Sequence, residues 1–145
     1  MKKRTRAREL ALQFLYQVDM RGSEIEAELD AFLAEEESDR TAADFARLLV
    51  RGTLEHRATI DERIQSVVQN WEIGRMAVVD RNVLRLATFE LLFRDDIPPK
   101  VSINEAIELG KRFSTQNSGG FVNGVLDKVK DRYVTGNQAG LKPAE

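Results

Sequence analysis

Cysteine is absent from the 145 residues, and histidine occurs once, at His56. Without thiols there can be no disulfides or thiolate metal sites, and one imidazole is too few for a histidine zinc site or a Ser-His-Asp arrangement. No metal, cofactor or triad chemistry is expected. No apolar run approaches the roughly 20 residues that cross a bilayer, and the basic start leads into amphipathic rather than uniformly apolar sequence, unlike a signal peptide. The expected compartment is therefore the cytoplasm, with no membrane partner. Strand-like alternation is also missing, and with it any βαβ pattern carrying a glycine-rich nucleotide loop. Gly110-Lys111 does not supply one, because Glu105 stands where a phosphate-binding loop needs its first glycine. What is left, 42% apolar and 32% charged over 145 residues, suits a compact soluble protein with one good core or two small ones sharing an interface.

Charge is unevenly distributed along the chain. Lys2, Lys3, Arg4, Arg6 and Arg8 are cations in a first eight residues that contain no acid, although the formal net charge is -2. Residues 24–44 reverse the balance, with nine acids against the single base Arg40. Such sorting points the N-terminal arm towards a polyanion and the acidic stretch towards a different environment. A solubilising tail would also be basic, but this arm runs without a break into a helical pattern.

Helical spacing recurs from end to end. Ala7, Leu10, Ala11, Phe14, Leu15 and Val18 share one face, with Thr5 as candidate N-cap and Arg21-Gly22 as the stop. Ser23-x-x-Glu26, Thr59-x-x-Glu62 and Ser102-x-x-Glu105 read as capping boxes that open three further helices. Thr41 opens another, and Trp71 closes the apolar stripe Ile60, Ile64, Val67, Val68. Val78 to Phe93 is apolar nearly all round, which predicts a buried central helix. Asp95-Asp96-Ile97-Pro98-Pro99 breaks it, and a last helix follows the polar loop Ser114 to Gly120. The reading is an all-α fold of about six or seven helices in two short bundles.

Several blocks of residues resemble one family. Val79-Asp80-Arg81-Asn82-Val83-Leu84-Arg85-Leu86-Ala87, Glu90-Leu91-Leu92, Asp96-Ile97-Pro98, Ile103-Asn104-Glu105-Ala106-Ile107-Glu108-Leu109, Phe113-Ser114 and Phe121-Val122-Asn123-Gly124-Val125-Leu126-Asp127-Lys128 are closely similar, in order and spacing, to the bacterial NusB antitermination family. The basic arm followed by Arg8-Glu9-x-Ala11-x-Gln13-x-Leu15-Tyr16 resembles it too, whereas residues 23–78 do so only in helical pattern. The resemblance implies two three-helix bundles packed together, divided roughly into 1–75 and 76–134, with a flexible tail over 135–145. It also implies a protein without catalysis. Such a protein joins the small-subunit ribosomal protein NusE to bind single-stranded boxA RNA in nascent ribosomal RNA transcripts, within the RNA polymerase antitermination complex. Some members form homodimers and others are monomers, and no residue here decides between them.

Candidate site residues follow from chemistry and from this likeness together. Lys2, Lys3, Arg4, Arg6 and Arg8 can track phosphates, and arginine grips them with paired donors. Tyr16 lies two helical turns beyond Arg8, either as a base contact or as core. Phe121 follows Asn117-Ser118-Gly119-Gly120 at an expected helix N-terminus, where free N–H groups favour phosphate. The resemblance places this loop, with Asn117 and Phe121, on the RNA side. It places Asp80 and Glu105 towards the protein partner, elsewhere on the molecule; a helix N-cap serves at least as well for Asp80, and for Glu105 the structural role of closing its capping box comes first. Gly120, Asn117 and Pro99 depart from the usual family residues, a lysine, an acid and an aromatic respectively. Two rival readings are a helical protein-interaction module and a stand-alone relative of the RNA-binding domain of RNA cytosine methyltransferases. The second would lack both its cofactor-binding domain and a cysteine nucleophile.

Overall fold

A computed structural model of the chain describes residues 2–135, and these are helical almost throughout, with no strand among them. The tail expected over 135–145 lies, from residue 136 on, outside the described residues. Seven α-helices follow in order: α1 (Lys3–Arg21), α2 (Leu29–Glu36), α3 (Arg40–Glu55), α4 (Arg57–Val67), α5 (Val78–Phe93), α6 (Pro99–Phe113) and α7 (Ser118–Val129). No described helix is long and apolar enough to cross a membrane.

The chain divides into two compact units between Glu55 and His56, not near residue 75. In the first, α1 packs along α3, and the 3-10 turn Ser23–Glu28 and α2 close the remaining side. Leu10, Phe14, Leu33, Leu49 and Val50 are buried at its centre. The second unit gathers four helices because α4 packs on α5 and α7, with Ile60 and Ile64 fully buried. A part-buried ion pair joins α4 to α5. Arg85 Nε and Nη2 donate to Asp61 Oδ1 and Oδ2 at 2.8 and 3.0 Å, and Nη1 to Asn82 Oδ1 at 3.4 Å. As the all-round apolar pattern predicts, every residue of α5 from Asn82 to Leu91 is buried.

The expected caps are largely absent. Thr5 and Thr59 lie inside α1 and α4, and Ser23 begins a 3-10 turn without a side-chain cap bond. The N-cap of α3 is Asp39, whose Oδ1 accepts from the Ala42 N–H at 3.0 Å. Pro98 precedes α6 and Pro99 is its first residue, where a missing N–H costs nothing. Ser102 is consequently an interior residue, buried, and donates through Oγ to Glu90 Oε1 at 2.6 Å. The capping box with Glu105 therefore does not form.

Candidate nucleic-acid interface

Within the first unit the basic arm forms the opening turns of α1, with Lys2 as its extended N-cap. Those turns meet the acidic segment instead of standing apart from it. Lys3 Nζ lies 3.2 Å from Asp39 Oδ2, and Arg6 Nε donates to Glu37 Oε1 at 3.2 Å. Arg6 also reaches the Glu36 carbonyl at 3.3 Å and Glu9 at 3.5 Å. The backbone N–H of Ala42 and, after it, the Lys3 ammonium hold the Asp39 carboxyl below the usual carboxylate range. Arg4 lies over the Phe45 ring at 4.2 Å from its centroid.

The five expected phosphate contacts are therefore unequal. Lys2, Lys3 and Arg4 are exposed, and Arg6 is half-buried and paired. Arg8 is only 3% exposed, with its guanidinium carbon 5.6 Å from the Phe45 centroid. It sits among Ala7, Leu10 and Ala11 on the buried face of α1, which leaves it little surface for the phosphate contact expected of it. Tyr16, for which core and contact stood as alternatives, is 39% exposed.

These pairings compete with any external anion for the same cations. Glu37→Gln is expected to raise the affinity of the protein for single-stranded RNA several-fold, with at most about 1 kcal/mol change in stability because the pair is not buried. Titration of a labelled oligonucleotide alongside thermal unfolding reads both effects. Unchanged RNA affinity would mean that Arg6 takes no part.

In the second unit Asp80 is the third residue of α5 and not its N-cap, a position held by Ala77. Its Oδ1 accepts from Ser118 Oγ at 2.8 Å. Ser118 is the first residue of α7 and is buried; Thr115 meets Ser118 Oγ through its N–H at 3.3 Å and its hydroxyl at 3.2 Å. The carboxylate thus ties the start of α7 to the start of α5. Asn117 precedes α7, exposed and without a side-chain cap bond, and Phe121 lies in the first turn, half-buried. The Phe121 ring is tilted by 58° against Trp71, with centroids 5.0 Å apart.

Asp80, Thr115, Asn117, Ser118, Phe121 and Trp71 line one cavity of about 340 Å³. Sequence reasoning had put Asp80 and the Asn117–Phe121 loop on different faces, and the fold brings them together. It does not bring in Glu105, which is half-buried within α6. Trp71 was missed as a surface residue because it was counted in the stripe of α4. That helix ends at Val67, and Trp71 is 49% exposed. The signal available was a large ring alone among polar residues, Gln69-Asn70-Trp71-Glu72.

A model of the NusB family matches residues 5–131 of the chain. The chain belongs to the NusB family. It is 54% identical over 143 residues to the transcription antitermination protein NusB of Anaeromyxobacter dehalogenans (strain 2CP-1), covering 98% of this chain and 94% of that protein. Among solved structures it is similar to NusB of T. maritima, with TM-score 0.84, 42% identity, and 95% and 97% of the two chains covered. It is also similar to a chain from a complex of the antitermination factors NusB and NusE with double-stranded RNA. That match has TM-score 0.83 and 30% identity, over 92% of this chain and 99% of the other. For a NusB-family chain, the Asp80–Ser118 tie and the Trp71–Phe121 pair are the two features of this surface that the motif blocks alone do not disclose.

Proposed function

We propose that this chain is a transcription antitermination factor that binds RNA together with the ribosomal protein NusE. Its target is single-stranded boxA RNA in nascent ribosomal RNA transcripts, within an RNA polymerase antitermination complex. The observation that carries the NusE and RNA parts of this reading is the match over 92% of this chain to a chain from a complex of NusB and NusE with double-stranded RNA. The surface chemistry supports it. Lys2, Lys3 and Arg4 offer cations to phosphates, while Tyr16 and Phe121 offer exposed ring area to unstacked bases. Asn117 adds an exposed amide beside Phe121. Asp80 and Glu105 are the residues assigned to NusE.

Titrating a labelled boxA-like single strand, and a duplex of the same sequence, with and without NusE tests the reading. The strand is expected to bind more tightly than the duplex, and NusE to tighten it further. With the three exposed cations Lys2, Lys3 and Arg4 at about -0.7 each, the logarithmic salt slope contributed by the arm is expected to be no steeper than roughly -2. Equal affinity for strand and duplex would overturn the single-stranded target, and indifference to NusE would overturn the joint surface.

Asp80→Asn separates charge from architecture at the partner surface. An amide oxygen can still accept from Ser118, so Tm should hold, while association with NusE should weaken by roughly tenfold if a partner cation pairs with the carboxylate, in the range seen for close interfacial charge pairs. Wild-type association of the folded variant would remove Asp80 from the NusE contact.

A further inference from the structure

Next to the Trp71–Phe121 pair the second unit holds a larger open groove of about 840 Å³, not lined by Asp80, that none of the expected site residues except Phe121 reaches. Trp71 and Phe121 form one wall. Its floor is α7, where Gly120, Gly124 and Lys128 recur at every fourth residue and so fall on one stripe. A Cβ built on Gly120 or Gly124 would meet nothing within 4 Å. Packing therefore does not require either glycine, although both weaken a helix interior. Lys128 is exposed at the far end of the stripe, and Arg132 follows one turn later, its guanidinium donating to the Ser66 carbonyl at 3.2 Å. Asp131 also lines this end, leaving its rim net positive. Gln69 and Asn70 also line the groove.

An aromatic wall with a half-exposed indole, a floor opened by two glycines beside Val125, cations at one end and the polar residues Gln69 and Asn70 make a complementary set for an unpaired nucleotide. The ring accepts a base on its face, cations take the phosphate, and amides can pair with base edges. A flat apolar peptide would have no use for the cations, and a duplex would not present a free base face. Phe121 belongs to both cavities, so a strand crossing the loop at the start of α7 continues into the groove. We propose that this groove is a binding subsite for single-stranded RNA in which one base stacks on Trp71 and its phosphate lies near Lys128. The inference rests on the RNA-binding reading above and extends it to residues which that reading does not use.

Trp71 is the only tryptophan in the chain, so its fluorescence reports on this site alone. In the full-length protein, with and without NusE, a boxA-like single strand is expected to quench Trp71 emission with the same midpoint as the polarisation of a labelled strand. Gly124→Leu places a side chain in open space above the floor. It should lower RNA affinity at least tenfold and abolish the quench, at an unchanged or raised Tm. Trp71→Phe should keep most of the affinity and Trp71→Ala lose roughly tenfold, again with Tm retained. Binding by polarisation with no change in Trp71 emission, and wild-type affinity of Gly124→Leu, would overturn the subsite while leaving RNA binding standing. Absence of binding by polarisation even with NusE would overturn the RNA reading itself, and the subsite with it.

Discussion

Arg85→Met with Asp61 unchanged is expected to destabilise the protein by about 3 kcal/mol, the lower end of the roughly 3 to 5 kcal/mol that follows when one partner of a buried ion pair is removed. The lower end applies because the Asp61 side chain is 25% exposed and can partly rehydrate, whereas that of Arg85 is only 6% exposed. Arg57, 3.8 Å from the same carboxylate, offers partial compensation. Urea denaturation gives the change directly. In Arg85→Met/Asp61→Leu much of the loss should return, because neither charge is then stranded. A loss below about 1 kcal/mol for Arg85→Met would show that the pair is no stronger than a surface one. Because the bond fastens α4 to α5, the same variant should loosen the segment that leads to Trp71, and its RNA affinity should fall even in the folded fraction.

Phe121→Ala is expected to weaken RNA binding by roughly 1 to 3 kcal/mol, the range measured for losing one base-stacking ring. A half-buried ring contacting one half-exposed indole should not carry the roughly 3 to 5 kcal/mol of folding energy lost with a core phenylalanine. Thermal unfolding and RNA titration on the same variant distinguish the two roles. A large fall in stability with unchanged affinity of the folded fraction would make Phe121 a packing residue. Removal of its ring also exposes Trp71 further, so a red shift in tryptophan emission should accompany the substitution.

The number of helices, the buried character of α5 and the break before α6 were legible in the sequence because each depends on spacing or composition within a short window. Caps were less so. Ser102 has the right neighbours for a capping box, but its hydroxyl is taken by Glu90, twelve residues earlier in sequence and brought close only by the packing of α5 on α6. Arg8 shows the same limit. Its charge suggests an anion contact, whereas its position on the buried face of α1 leaves little of it accessible. Trp71 fitted the apolar stripe of α4, yet the helix stopped at Val67 and released it to the surface. The acidic stretch was read as a separate environment because a linear count cannot show that α2 returns Glu36 and Glu37 to the start of α1. Asp80 and Ser118, 38 residues apart, meet for a similar reason.

The carboxylates held against Lys3 and Arg6 are tethered counterions. A free ion leaves a phosphate-binding cation at a cost set by its bulk concentration, but Glu37 and Asp39 remain within a few ångströms however dilute the solution. An incoming anion must therefore exceed a fixed local concentration of negative charge, which a lone phosphate or an acidic side chain does poorly and a strand with one phosphate per nucleotide does well. Fewer solution ions are then exchanged on binding than the count of basic residues suggests. In the RNA binding proposed above, the N-terminal end of α1 would in this way select for charge density before any base is read.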